Sequence, residues 1–281
     1  MKHKWKLLDY FMLLFFFVGI GIVAYPYISR SLSTMFDQQY INYYQRQANK
    51  KNQQEMASLA AKQAKKNKKL TKEGNTPGTA TFTKAVENKK KVEKSKDYFE
   101  QHTIGALTIP KINVKLPIFD ETNDVLLQKG ATLLNGTSIP IGGTATHSVL
   151  SAHRGLPEAS LFDRLPELKL KDVFFIAINK ETHAYQVDQI KVIEPTNISD
   201  LVISGTKDYV TLMTCTPYMV NTHRLIVRGH RIPYKVSQKM NLEKKNTEQS
   251  YLRITISVII GMTLLISLIY FFNRRKKRKV T

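Results

Sequence analysis

Two long apolar runs bracket the chain. Leu7 to Tyr25 and Ile254 to Phe272 are each of the length that crosses a bilayer, which takes roughly 20 residues. Between them the pattern of apolar and polar positions changes twice. From Ser31 to about Lys69 the sequence is rich in Gln, Lys, Ala and Tyr and lacks Pro and Gly, and Leu32, Phe36, Tyr40 and Tyr43, then Met56 and Leu59, recur at helical spacing. This predicts one or two helices. Glu73 to Gly78 breaks them with a loop, and Thr83 to Lys96 is charged and weakly patterned, a solvated helix or a flexible segment. From Ile104 to Tyr234 short runs of Val, Ile, Leu and Thr alternate with Pro, Gly, Asn and Asp. They predict strands at Ala106–Ile109, Val114–Ile118, Ser148–Ala152, Val173–Ile178, His183–Ile193, Tyr209–Thr214 and Arg224–His230, with a short helical turn in Leu161–Leu168. Spacing of this kind describes an antiparallel sandwich or barrel, and roughly 130 residues suffice for a real core. From Lys235 to Tyr251 the chain is polar again and reads as a tether.

Charge sharpens the topology. The formal net charge of +21 would suit nucleic acid or an acidic surface, but it sits mainly in Lys50–Lys96 and Arg274–Lys279, outside the strand-rich region. Lys2, Lys4 and Lys6 precede the first apolar run, and six basic residues, Arg274 to Lys279, follow the second. The positive-inside rule then puts both ends in the cytoplasm and everything between them outside. The basic block beside a span is explained by topology, so nucleic acid is not expected as a partner. The first run could instead be a cleaved signal peptide, but Tyr25-Pro26-Tyr27-Ile28 offers no small-residue cleavage site, and a retained anchor is the better reading. The expected order is a cytoplasmic start (1–6), an anchor (7–25), a helical stalk (26–103), a β domain (104–234), a tether (235–253), a second span (254–272) and a basic cytoplasmic tail (273–281).

One cysteine, Cys215, lies in the extracytoplasmic part. No disulfide can form within the chain, and a free thiol in an oxidising compartment is a liability unless it is used or buried. It ends the segment Tyr209–Thr214 and is followed by Thr216-Pro217, which places it on a rim, where nearby positive charge can stabilise a thiolate. The short loop to His223 makes Arg224 its hairpin neighbour. A guanidinium there cannot act as a base, but it can bind an oxyanion or hold a peptide backbone. His153 ends the strand Ser148–Ala152 and could serve as general acid and base; on spacing alone His223 and His230 could fill the same role. Nothing calls for a cofactor, and no Cys or His pair has metal-ligand spacing.

Thr211-Leu212-Met213-Thr214-Cys215 resembles the Thr-Leu-x-Thr-Cys signature of sortases. Thr216-Pro217-Tyr218 and His223 to Gly229 are similar to that family's class C, the pilus-assembling branch. Ser151-Ala152-His153-Arg154-Gly155 resembles its catalytic-histidine segment, and Ile104 to Ile112 its opening strand. The resemblance runs from about Ile104 to Pro233 with every motif in order. It implies an eight-stranded sortase barrel with short helices. It also implies Cys215 as nucleophile, His153 as acid and base, Arg224 as the stabilising cation, and Ser151 and Thr214 as residues touching substrate. The implied reaction is transpeptidation: the cysteine cleaves a Leu-Pro-x-Thr-Gly-like sorting signal through a thioester, and an amine resolves it. In class C that amine is usually a lysine of the next pilin; in other sortases it belongs to a cell-wall precursor. Two membrane spans also fit class C.

One departure stands out. Class C enzymes usually carry a lid with an Asp-Pro-aromatic motif before the barrel, and no Asp-Pro pair occurs in this chain. Counting back from Ile109-Pro110, Phe82 falls near the place of the lid aromatic. The expectation is a divergent lid with Phe82 as its plug and no carboxylate to pair with an active-site cation, against the simpler reading of Phe82 as a linker aromatic. Two further functions compete with transpeptidation: a cysteine peptidase, in which water resolves the thioester, and a basic membrane scaffold.

Overall fold

The computed structural model describes residues 53–87, 95–156 and 159–237, with a few single positions beyond them. The expected anchors, the cytoplasmic ends and most of the tether lie outside the described residues. Among the described residues no helix is long and apolar enough to cross a membrane. The chain divides into two units, Met1–Tyr234 and Lys235–Thr281, and the barrel and the helices before it belong to the first.

The centre of that unit is a closed barrel of eight strands. They are β1 (Thr103–Ile109), β2 (Val114–Phe119), β3 (Ala131–Leu133), β4 (Thr146–Ser151), β5 (Val173–Ile178), β6 (Glu181–Ile193), β7 (Asp208–Thr216) and β8 (His223–Ile232). Around the barrel they run β1-β2-β3-β4-β7-β8-β6-β5. Closure leaves no sheet edge unpaired. Alternation along each strand fills the interior: Leu107 and Ile109 on β1, Leu116 and Ile118 on β2, Phe174 and Ile176 on β5, Val210 and Leu212 on β7, Leu225 and Val227 on β8 all belong to one buried cluster. Gly229 continues the inward series on β8. A Cβ there would stand 2.7 Å from the Phe174 ring, which stacks on Tyr185 at 5.5 Å, so only glycine fits.

The expected antiparallel arrangement is corrected to a mixed sheet. β2 pairs with β3 and β4 with β7 in parallel, while the other pairs are antiparallel. β4 and β7 are parallel neighbours because β5 and β6 intervene between them in sequence but lie elsewhere around the barrel. β2 and β3 are consecutive, and the segment that holds the helix Asp124–Leu127 carries the chain back between them. Strand patterns encode neither ordering. β3 was not foreseen; three residues are too few for an alternation to register.

Four α-helices are described before and within the barrel: α1 (Gln53–Glu73), α2 (Thr79–Glu87), α3 (Lys96–His102) and α4 (Asp124–Leu127). α4 starts with Asn123 as N-cap, its side chain accepting from the Leu126 amide at 2.9 Å. α1 ends where the loop was expected, at Gly74 in the left-handed region (φ 80°). Far from standing clear as a stalk, it is fixed to the barrel by polar side chains. Asn67 Nδ2 donates to the Ile139 carbonyl at 2.8 Å, and the Ile139 amide donates to Asn67 Oδ1 at 2.8 Å. Asn179 donates to Gln63 Oε1 at 2.7 Å. Asn75 then accepts from the Ile203 amide at 2.7 Å, and the Gly78 amide donates to the Asn135 carbonyl at 2.8 Å, which delivers the chain to the start of α2.

Asn67 therefore satisfies both backbone groups of a buried residue. Asn67→Ala orphans the Ile139 amide, while the Ile139 carbonyl keeps the Ile141 amide at 2.8 Å, and urea denaturation is expected to show a loss of about 1–3 kcal/mol; a loss below about 0.5 kcal/mol would show that water replaces the side chain.

Candidate active site

β7 carries two faces. Val210, Leu212 and Thr214 point inward, so Thr211, Met213 and Cys215 point out of the barrel, beyond its core. Met213 and Cys215 join Val149 of β4 and Ile226 of β8 in a second buried cluster, which also holds Phe82 and Ala85 of α2. The candidate site is thus on the barrel's outer wall, under a helix.

Register decides what meets there. In the β7–β8 hairpin Cys215 lies directly opposite Arg224. On the other side of β7 the parallel register pairs Ser151 with Met213, and the Ala152 amide still donates to the Met213 carbonyl at 3.1 Å. Two residues further along that register, His153 comes level with Cys215. His153, Cys215 and Arg224 thus stand abreast on three neighbouring chain segments at one rim.

Cys215 is 1 % exposed and Arg224 3 %. A guanidinium so deeply covered needs partners for its protons. Arg224 Nη1 donates to the Asn221 carbonyl at 2.9 Å and to the His223 carbonyl at 3.1 Å, and Nη2 donates to the Thr83 hydroxyl at 3.0 Å. Its Cζ lies 5.3 Å from the centre of the Phe82 ring, itself fully buried. A cation over an aromatic face is worth about 2 kcal/mol when both are desolvated. α2 therefore covers the thiol and occupies one end of the arginine.

Burial also sets the protonation states. It pushes the Cys215 thiol above its ordinary value, and the charge of Arg224 only partly opposes this. The imidazole of His153 is driven down to about 4 by burial. In this covered form thiol and imidazole are both neutral at pH 7.

The other sequence candidates sort clearly. Ser151 is fully buried on the outward face, and its hydroxyl has no hydrogen-bond partner among the described residues. Thr214, expected to touch substrate, points the other way: it is fully buried, and its hydroxyl donates to the Ala152 carbonyl at 2.8 Å, tying β7 to the segment that leads to His153. The alternation that turns Cys215 to the outer wall turns Thr214 inward. His223 is exposed and bonds to Thr222, while His230 is at the far end of β8 beside Asp188 at 3.4 Å, away from Cys215. Two residues were missed. Thr83 became visible only once α2 was folded over β8. Arg154, beside His153, reaches Thr216 Oγ1 at 3.4 Å and lies over the Tyr218 ring at 5.4 Å, bracing the loop after Cys215; the sequence Arg154-Gly155 at a strand exit hinted only at a turn. In that loop Tyr218, Met219 and Val220 leave apolar side chains exposed at the same rim.

Comparison with known proteins settles the family. A description of the sortase domain matches residues 107–232. The solved structure of sortase C-1 from Streptococcus pneumoniae is 41% identical, with a match covering 70% of this chain and 100% of that one and a TM-score of 0.59. This chain belongs to the sortase family. Sortases are cysteine transpeptidases, and several solved structures similar to this one are of the C type. Sortase C1 of GBS Pilus Island 1 is 38% identical, with 71% of this chain and 93% of that chain covered and a TM-score of 0.61. A more distant relative, Sortase A of Listeria monocytogenes, is 27% identical over 151 residues, 53% of this chain. The match spans 64% of that relative, a little under two thirds of its length.

The depressed histidines of this sortase give its stability a pH dependence. His153 and His183 are both held near 4 against an ordinary value of 6.5, so between those pH values the unfolded chain binds protons that the folded chain refuses. Their contribution is fully present above about pH 6.5 and is lost as pH falls toward 4. Asp208, raised by burial, works in the opposite sense. The urea midpoint is therefore expected to fall between pH 7.5 and pH 4.5, and to fall less in a His183→Gln variant. An equal fall in that variant would show that the titration lies elsewhere.

Proposed function

We propose that this sortase is a class C transpeptidase with Cys215 as nucleophile, His153 as general acid and base, and Arg224 as the cation that steadies the developing oxyanion. The observation that carries the reading is the shared level of these three residues on adjacent segments, beneath a helix that covers them. Once the Cys215 thiol has passed its proton to His153, its sulfur would attack the threonine carbonyl carbon of the Thr–Gly bond in a Leu-Pro-x-Thr-Gly-like sorting signal. The carbonyl oxygen takes the negative charge and meets Arg224 Nη2, while His153 gives its proton to the leaving amine of glycine. The product is a thioester. A second amine, in this reading a lysine side chain of a pilin subunit, loses its proton to His153, attacks the thioester and expels the sulfur. The result is an isopeptide bond between subunits of a pilus. The apolar rim at Tyr218–Val220 is the proposed resting place for the incoming polypeptides.

The covering helix is read as a lid. Phe82 would plug the site, and Thr83, with a neutral hydroxyl, would take the arginine donor that the oxyanion later needs. A hydroxyl holds a guanidinium less firmly than a carboxylate does, because the bond lacks the second charge. Such a lid closes the site without an ion pair. Ser151, buried opposite Met213 with no hydrogen-bond partner among the described residues, would gain one from a bound peptide. The domain order expected from the sequence completes the proposal: the barrel lies outside the cell, between two membrane anchors.

Full-length protein in detergent micelles, incubated with a Leu-Pro-x-Thr-Gly peptide and a lysine-bearing pilin peptide, should give a thioester on Cys215 by mass spectrometry and then a lysine-linked product. Cys215→Ala should form neither. A thioester that passes only to water or to a cell-wall precursor amine would overturn the pilus assignment, and no adduct in either full-length or lid-opened protein would overturn the transpeptidase.

The lid makes its own prediction. Phe82→Ala rehydrates and exposes the thiol, lowers its pKa and should speed alkylation of Cys215 by iodoacetamide at pH 7 by about tenfold or more, because access and thiolate fraction rise together. Thr83→Ala should have a smaller effect in the same direction. Unchanged labelling in both variants would reduce Phe82 to a packing residue.

A further inference from the structure

The helix α1 is held to the barrel by its polar inner face, and its outer face carries a concentration of charge that the fold does not use. Lys62, Lys65, Lys66, Lys68, Lys69 and Lys72 are exposed within eleven residues of this one helix, which ends at Glu73. The one ion pair they make among the described residues is Lys69 with Glu73, at 3.8 Å between side chains that are both mostly exposed. Lys62 faces Lys65 and Lys66 at spacings of three and four, Lys65 faces Lys68 and Lys69, and Lys68 faces Lys72. Like charges at these spacings oppose helix formation. The helix is nevertheless kept, and its orientation is fixed by Gln63, Thr71 and Asn67, whose side chains bond to Asn179, to the Ala145 carbonyl and to Ile139. A rigid, self-repelling cationic face on a barrel whose own charges nearly balance is a surface awaiting an anion.

We propose that this face of α1 is a docking site for a linear polyanion built of successive phosphate groups other than a nucleic acid. Two observations select that partner over a lipid surface. A helix that lies on a membrane sinks an apolar side between headgroups. None of the large exposed hydrophobic residues of the described chain lies on α1; Leu59 and Leu70 are half-buried. The charges also extend along the helix for about 15 Å, from Lys62 to Lys72, at a rise of about 1.5 Å per residue, which suits a chain of successive phosphates better than a single headgroup. Lysines fit such a polymer because each offers a compact, freely turning charge rather than a fork that demands one geometry. The docking site is independent of the proposed reaction: it is a binding surface, and its failure leaves the transpeptidase untouched.

The test uses the full chain in phosphatidylcholine nanodiscs, titrated with medium-chain inorganic polyphosphate and followed by fluorescence anisotropy. The basic segments at the chain ends also attract anions, so the comparison is with a variant in which Lys62→Gln, Lys65→Gln, Lys66→Gln and Lys68→Gln are combined. The native chain should bind with an affinity that falls steeply with salt, and the variant should bind at least about tenfold more weakly with a shallower salt slope, because each lysine removed releases fewer counterions. The variant's thermal midpoint should equal or exceed that of the native chain. Equal binding by variant and native chain would overturn the proposal. So would a difference between them that appears with phosphatidylglycerol vesicles but not with polyphosphate, which would make the face a membrane contact.

Discussion

Strand register is the constraint from which the site follows. A parallel ladder between β4 and β7 and an antiparallel one between β7 and β8 share a strand, and Cys215 is near the end of it. Slipping either ladder by one residue would turn a whole set of side chains to the other face. The interior prevents this. Leu150, Leu212 and Val227 must all point into the same core, and each such requirement fixes the outward positions beside it. Thr214 strengthens the arrangement by bonding across to Ala152, at the point where β4 has ended but its chain must still run level with β7. The barrel core thus aligns His153, Cys215 and Arg224 with no hydrogen bond among the three.

The covered state is costly for charge and is stabilised accordingly. Arg224 is buried, yet the protons described on its terminal nitrogens reach backbone carbonyls of its own hairpin loop and the hydroxyl of Thr83. Two of those three partners stay when α2 leaves, and the third does not. Opening would therefore expose one donor on an arginine still fixed in place, the arrangement an oxyanion site requires. The same departure would rehydrate the thiol and the imidazole, whose neutrality in the closed form comes from burial. In the proposed mechanism one movement supplies both access and activation.

Much of this was legible in the sequence, for identifiable reasons. Seven of the eight strands announced themselves through alternation and turn residues, and the motif around Cys215 specified its position at a strand end. Arg224 could be placed beside it because a short loop leaves a hairpin little choice. His153 was legible only through resemblance, since a parallel neighbour is separated from Cys215 by two further strands. The parallel pairs and β3 were hidden for the same reason: pattern reports the face of a residue and is silent about which strand lies next. The inward turn of Thr214 was overlooked although alternation predicts it, the motif having drawn the whole segment toward the substrate. Phe82 was located by counting, but Thr83 could not be, because its partner lies 141 residues away.

The docking of α1 gives α2 its meaning. Asn67 and Asn75 attach the preceding chain to the barrel at two places, and the Gly78 amide is bonded to Asn135 just before α2 begins. Gly136, in the left-handed region at φ 80°, allows the close approach, since any Cβ there would collide with the Thr76 carbonyl. A helix launched from so firm a base does not need to be held tightly at its tip. Burial of Phe82 and Ala85, one cation–π contact and one hydrogen bond from Arg224 to a neutral hydroxyl then suffice to seat it. The absence of an Asp-Pro pair is consistent with this division of labour: when the hinge is fixed by backbone clips on its N-terminal side, closure can rest on shape and leave the arginine unpaired by any carboxylate. In the proposed mechanism such a lid would be released by a partner that competes for the Phe82 pocket, and release would leave no buried anion behind.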